Sequence, residues 1–256
     1  MILTMDIGNS NTVIGIYREA QLVKSWRLAT RRNATADENE VVLRMLFQQS
    51  SLDLQSVQGT VLASVVPPLT LPWHTTLKRV FRSEPLLIEP HLLNVMPNLY
   101  DNPMEVGADR IVNAYAGIKK YGAPLIVVDF GTATTLDVID DKGAYLGGVI
   151  APGVGISTEA LFAHAAKLPR IELIRPDRVI GRNSTSSMQS GIVFGFAGQV
   201  DALVRRIWGE LGQTTPVIAT GGLAELIAAE SETIHTVDLL LTLDGLYMIY
   251  QLQRST

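Results

Sequence analysis

Asp6-Ile7-Gly8-Asn9-Ser10-Asn11-Thr12-Val13 and Asp129-Phe130-Gly131-Thr132-Ala133-Thr134-Thr135-Leu136 are the stretches whose reading decides the fold. Set against each other at an offset of 123 residues, they match in Asp, Gly and Thr, and the other positions hold similar residue types. Each ends a short apolar run, Ile2 to Ile7 or Leu125 to Phe130, and two more such runs follow in each half. Short apolar runs bounded by turn residues read as strands, so each stretch is the first turn of a three-stranded meander. The same offset sets Ala20 against Gly143, where the third strand of each half begins. Taken alone, either turn is an ordinary hairpin, because hairpins favour such residues. Repeated at a constant offset, they indicate a duplicated domain.

Working outward, a helical pattern covers residues 37–49, and Thr60 to Val66 is a buried strand ended by Pro67-Pro68. A helix over 71–80 and a strand over 85–88 complete the first half. In the second half the spacing predicts helices over 153–166 and 185–211, the latter capped by Ser184. Strands over 216–220 and 233–237 and a closing helix over 239–251 follow. The expected class is α/β: two domains, 1–115 and 116–256, each a mixed sheet with a three-stranded meander followed by alternating helices and strands.

Composition narrows the function. The chain has 256 residues, 47% hydrophobic and 18% charged, with a net charge of −4. It is globular in character. A mildly acidic chain without a cationic run is a poor nucleic-acid binder, since neutralising phosphates needs clustered cations. The absence of cysteine excludes disulfides, thiolate catalysis and cysteine metal sites. Neither a signal peptide nor a membrane span is legible, so no membrane partner and a cytoplasmic location are expected. His74, His91, His164 and His235 show no metal-ligand spacing and read as structural or surface residues.

The chemistry is read from the turns. A hairpin of Gly and hydroxyl residues presents N–H groups to an anion, and a strand-end Asp can hold a metal. Facing each other, two such turns would clamp a polyphosphate, with Asp6, Gly8, Asn9 and Ser10 on one side and Asp129, Gly131 and Thr132 on the other. Gly107-Ala108-Asp109-Arg110 opens a helix. Asp109 there can accept a proton from an attacking hydroxyl, and Arg110 can pair with an anion. Gly221-Gly222 follows a strand and would let a flat ring lie against backbone. The glycines from Gly147 to Gly155 fit neither a Walker A motif nor a dinucleotide fingerprint.

Together these motifs resemble the acetate and sugar kinase, Hsp70 and actin superfamily. That resemblance implies duplicated ribonuclease H-like (actin-like ATPase) domains. Within the superfamily, the two Asp-Gly-Thr stretches, Gly107 to Arg110, and Gly147-Gly148 with Ile150-Ala151-Pro152-Gly153 resemble type III pantothenate kinase, nearly end to end. The resemblance implies transfer of the ATP γ-phosphate to pantothenate, the first step of coenzyme A synthesis. It implies Asp109 as general base, and Asp6, Ile7, Gly8, Asn9, Ser10, Asn11, Thr12, Val13 and Thr132 as ATP-binding. Tyr100, Gly107, Ala108, Asp109, Arg110 and Ser184 would contact pantothenate, Ser184 standing where the family usually has Thr. It also implies Mg²⁺, a monovalent cation (K⁺ or NH₄⁺) at Asp129, and a homodimer. The rival readings are another small-molecule kinase of the superfamily and a non-catalytic nucleotide-binding transcription accessory factor.

Overall fold

The computed structural model describes residues 1–89 and 95–254, so His91 lies outside the described residues. The chain divides into two compact units, one of Met1–Ala116 with the segment from Leu241 onward, the other Gly117–Leu240.

In the first unit, β1 (Ile2–Ile7), β2 (Asn11–Arg18) and β3 (Gln21–Ala29) form an antiparallel meander. β4 (Gly59–Ser64) joins β1 in parallel and β5 (Leu86–Leu87) joins β4, giving the order β3-β2-β1-β4-β5. β1 is apolar nearly throughout because both its faces are covered. Leu3, Met5 and Ile7 pack with Leu43 and Phe47 of α1 (Ala36–Gln49) and with Leu69, Trp73 and Leu77 of α2 (Pro67–Phe81). On the other face, Ile2, Val61 and Ala63 pack with Ala108, Val112 and Tyr115 of α3 (Ala108–Tyr121) and with Leu243, Leu246 and Ile249 of α7 (Leu241–Arg254). Thr35 and Glu38 form a capping box at the start of α1. Pro67 and Pro68 do more than end β4: they open α2, where a missing N–H costs nothing.

In the second unit, β6 (Leu125–Phe130), β7 (Ala133–Ile139) and β8 (Tyr145–Pro152) repeat the meander. β9 (Val217–Thr220) pairs with β6 and β10 (Thr236–Val237) with β9, both in parallel, in the order β10-β9-β6-β7-β8. Ile126, Val128, Leu136 and Val138 pack against Ile192, Ala197, Val200 and Val204 of the 28-residue helix α5 (Ser184–Leu211). α4 (Val154–His164) precedes it and α6 (Ala224–Ala228) links β9 to β10. Ser184 does not cap α5. Asn183 does, because its extended backbone lets its side chain accept from Ser186 N at 2.8 Å, which leaves Ser184 as the first helical residue. Among the described residues no helix is long and apolar enough to cross a membrane.

The duplication is therefore topological as well as sequential, and the registers refine it. Ile7 pairs with Thr12, whereas Phe130 pairs with Thr134. The offset of 123 holds for β1 against β6, but across the turn it falls to 122, so Thr12 corresponds to Thr134 and not to Thr135. The second turn is one residue shorter. The next connection restores the offset. Glu19 and Ala20, both at positive φ, join β2 to β3 in a two-residue turn, while a longer turn ending at Gly143 (φ 76°) joins β7 to β8. Even the β-bulge is repeated, between Ile16 and Tyr17 in one unit and between Val138 and Ile139 in the other.

Candidate active site

In the first unit, Asp6 stands at the end of β1, partly buried, just before the turn Gly8-Asn9-Ser10. The turn closes with Gly8 N donating to Asn11 O at 3.0 Å. Asn9, Ser10 and Asn11 are exposed, and Thr12 is buried. Ile7 is buried in the core, so any part it plays in ligand binding falls to its backbone. A residue not singled out in the sequence holds this turn: Thr30, just past β3. Its hydroxyl donates to Gly8 O at 2.7 Å and lies 3.1 Å from Thr12 Oγ1, while its N–H donates to Ser10 O at 3.0 Å. Arg32 Nη2 donates to Asn9 Oδ1 at 3.0 Å. The available signal was the repeat itself, since the offset of 123 sets Thr30 opposite Gly153.

The same unit holds Gly107 to Arg110. Gly107 O accepts from Ile111 N at 3.3 Å, so the glycine sits at the mouth of α3. A Cβ on Gly107 would stand 2.5 Å from Asp109 Oδ1, so the carboxylate occupies the space its absence leaves. Asp109 Oδ1 also accepts from Arg110 N at 2.8 Å. Asp109 keeps some exposed surface, but dense surrounding protein deprives it of water, and this burial raises its pKa above the ordinary aspartate value. The hydrogen bond from Arg110 N and the guanidinium charge act in the opposite direction without cancelling it. Arg110 itself is 7% exposed. Tyr100, half-buried, lies in the segment before the helix, where its N–H donates to Asn98 Oδ1 at 3.1 Å.

In the second unit, Asp129 is the penultimate residue of β6, and Thr132 is half-buried in the tight turn before β7. Glycines crowd this turn from two sides. A Cβ on Gly221, whose φ is +97°, would lie 2.5 Å from Asp129 Oδ1 and 2.7 Å from Phe130 backbone. A Cβ on Gly153 would run into the carbonyl oxygens of Gly131 and Thr132. The absence of a side chain at Gly221 makes room for the Asp129 carboxylate. Thr134 is buried, and its hydroxyl has no hydrogen-bond partner among the described residues.

Ser184 is exposed and lines a cavity of about 680 Å³ with Ser157, Leu161, Arg182, Met188 and Phe196. Gly181 precedes it, and a Cβ there would collide with the Ser187 backbone.

A family model described as type III pantothenate kinase matches residues 2–206. A type III pantothenate kinase of Moorella thermoacetica is 52% identical over 251 residues, 98% of this chain and 99% of that protein. One from Roseiflexus sp. is 50% identical over 255 residues, covering 100% of each. Among solved structures, a conserved putative Baf family transcriptional activator from Campylobacter jejuni aligns with a TM-score of 0.60 at 19% identity, covering 99% of this chain and 100% of that one. An inorganic polyphosphate/ATP-glucomannokinase from Arthrobacter sp. aligns at 0.52 and 13% identity, covering 100% and 99%. At such identities the structures speak for the fold alone, and they bear out the duplicated α/β architecture.

Proposed function

The chain belongs to the type III pantothenate kinase family and phosphorylates pantothenate in coenzyme A synthesis, and from that premise we propose that Asp109 is the general base of the transfer. The observation that carries this reading is the Asp109 carboxyl itself, seated at the N-terminal end of α3 with its pKa raised by burial. A raised pKa makes a better proton acceptor, while the helix dipole and the neighbouring Arg110 favour the ionised form the base needs.

A kinase of this family takes its phosphate from ATP. Such transfer rests on positioning and charge neutralisation more than on covalent catalysis. Asp109 would orient the primary hydroxyl of pantothenate and take its proton as the new O–P bond forms and the bond to the ADP oxygen breaks. Arg110 would pair with the pantothenate carboxylate. Tyr100, Gly107, Ala108 and Ser184 would complete the substrate contacts, Ser184 through its hydroxyl. Asp6 to Val13, and Thr132, would bind the phosphates.

The residues fit the cations such a transfer implies. The Asp129 carboxylate, next to the Gly131-Thr132 turn, supplies oxygen ligands of the kind K⁺ or NH₄⁺ would take. Among the described residues no three acidic, cysteine or imidazole groups gather into a metal site. Mg²⁺ at Asp6 would therefore draw on phosphates and water for its other ligands, which is common for this ion. When bound, the cations would offset the charge developing on the phosphate oxygens. We also infer a homodimer, supported by the exposure of Ile150, Ile156, Val179 and Ile180 on the second unit. Sedimentation analysis should give twice the chain mass, and a monomer at micromolar concentration would refute it.

The test of the catalytic reading is ADP release with pantothenate, with and without potassium. Turnover should require pantothenate and rise with potassium, and Asp109→Asn should bind ATP yet lose about 10²–10⁴-fold in turnover. Near wild-type turnover in that variant would remove Asp109 from the role.

A further inference from the structure

We propose that Thr30 is a positioning residue for the phosphate turn: its hydroxyl, held between Gly8 O and Thr12 Oγ1, sets the shape in which Gly8 to Ser10 meets ATP. The proposal rests on the reading of that turn as an ATP-phosphate site.

The argument is geometric. A three-residue turn whose backbone is to contact an anion must hold one conformation before the anion arrives, because a loose turn would be ordered at the ligand's expense. The bond from Gly8 N to Asn11 O bridges the base of the turn but leaves the Gly8 and Ser10 carbonyls to be held by other groups. Thr30 fixes the rest from outside. Its hydroxyl reaches the carbonyl at the start of the turn, and its N–H reaches the carbonyl at the end. The contact to Thr12 ties the same hydroxyl to a buried side chain of β2. Thr30 is thus bonded at both ends of the turn without belonging to it.

The second unit supplies the contrast. Its residue at the equivalent place is Gly153, which has no hydroxyl and lies so close to Gly131 and Thr132 that a Cβ does not fit. Its turn is also one residue shorter. A longer turn needs an external brace, and a shorter one packed against backbone does not. Thr30 is accordingly required by the first turn and not by the fold the two units share.

Thr30→Val tests this, since it keeps the size, the β-branch and the backbone bond to Ser10 while removing the hydroxyl. Loss of a hydrogen bond that orients a binding turn is expected to raise the KM for ATP about tenfold. The KM for pantothenate should stay within about twofold, and Thr30→Ser should restore the KM for ATP to within about twofold of wild type. Should Thr30→Val misfold, Thr30→Ala carries the same expectation. An unchanged KM for ATP would overturn the proposal. So would an equal rise in both KM values, or a failure of Ser to rescue, since either marks a merely structural role. Asp6→Asn separates the two levels of the argument. If it leaves ATP kinetics untouched, the turn is not the phosphate site and the underlying reading fails. If it impairs ATP use while Thr30→Val does not, only the brace fails.

Discussion

At the first turn a side chain closes on backbone, with Thr30 reaching Gly8 and Thr12. At the second, backbone closes on backbone, with Gly153 against Gly131 and Thr132, and Gly221 against Asp129 and Phe130. The two turns occupy the same place in the same sheet order and carry the same Asp-x-Gly pattern. Duplication preserved the strand-end aspartate and let the means of support diverge. One extra residue in the first turn accompanies a polar brace, and its loss in the second accompanies steric packing. The hydroxyl at Thr134 has no hydrogen-bond partner among the described residues, and where its counterpart Thr12 meets Thr30 the second unit has Gly153.

The sharpest way to break this contrast is to place a Cβ in the second turn. Gly221→Ala meets both a left-handed backbone and the Asp129 carboxylate. The expected cost is about 3 kcal/mol or more in unfolding free energy, with loss of activation by potassium. Denaturant melts and a potassium titration of turnover check it, and a stable variant with normal potassium dependence would show that Gly221 does not shape the Asp129 site. Gly153→Ala comes next. Its φ of −72° suits any residue, so its expected cost of about 2–3 kcal/mol comes from overpacking alone. A midpoint within about 0.5 kcal/mol of wild type would mean the turn yields easily. The smallest effects should differ in sign between the turns. Thr12→Val removes a made hydrogen bond and should cost about 1 kcal/mol. Thr134→Val removes a buried hydroxyl without a partner and should be neutral or stabilise by about 0.5–1 kcal/mol. Equal losses at both positions would contradict the view that only the first turn carries a hydroxyl brace.

Much of this was legible in the sequence because it depends on local pattern. The two Asp-led turns, the meanders and the long helix follow from apolar runs and their period, and Gly107 to Arg110 stood out as a helix opening. What was not legible depends on which distant residues meet. Periodicity marks the closing helix but does not say which sheet it covers; Leu243, Leu246 and Ile249 pack with Ile2, Val61 and Ala63 of the first unit. The slip from Thr135 to Thr134 as the partner of Thr12 is a matter of register, which sequence similarity over eight residues cannot resolve. Ser184 looked like a cap because it precedes a helical pattern, but Asn183 one residue earlier takes the extended conformation a cap needs. Thr30 sits among polar residues after a strand; the repeat offset sets it opposite Gly153, but its role is visible only in its contact with a turn some twenty residues away.

The central claim, that the buried carboxyl of Asp109 is the base, is tested most directly by measuring turnover and thermal stability of Asp109→Asn across pH. A carboxyl whose folded pKa is raised contributes its stabilising share below its unfolded value, and that share is lost as pH rises through the folded value. At neutral pH the wild type therefore bears the cost of a buried charge that the Asn variant lacks. The account predicts an inactive variant that melts higher than wild type near pH 7, the gain shrinking as pH falls toward the ordinary aspartate value. A variant that turns over pantothenate at the wild-type rate, or one whose stability relative to wild type does not change with pH, would contradict it.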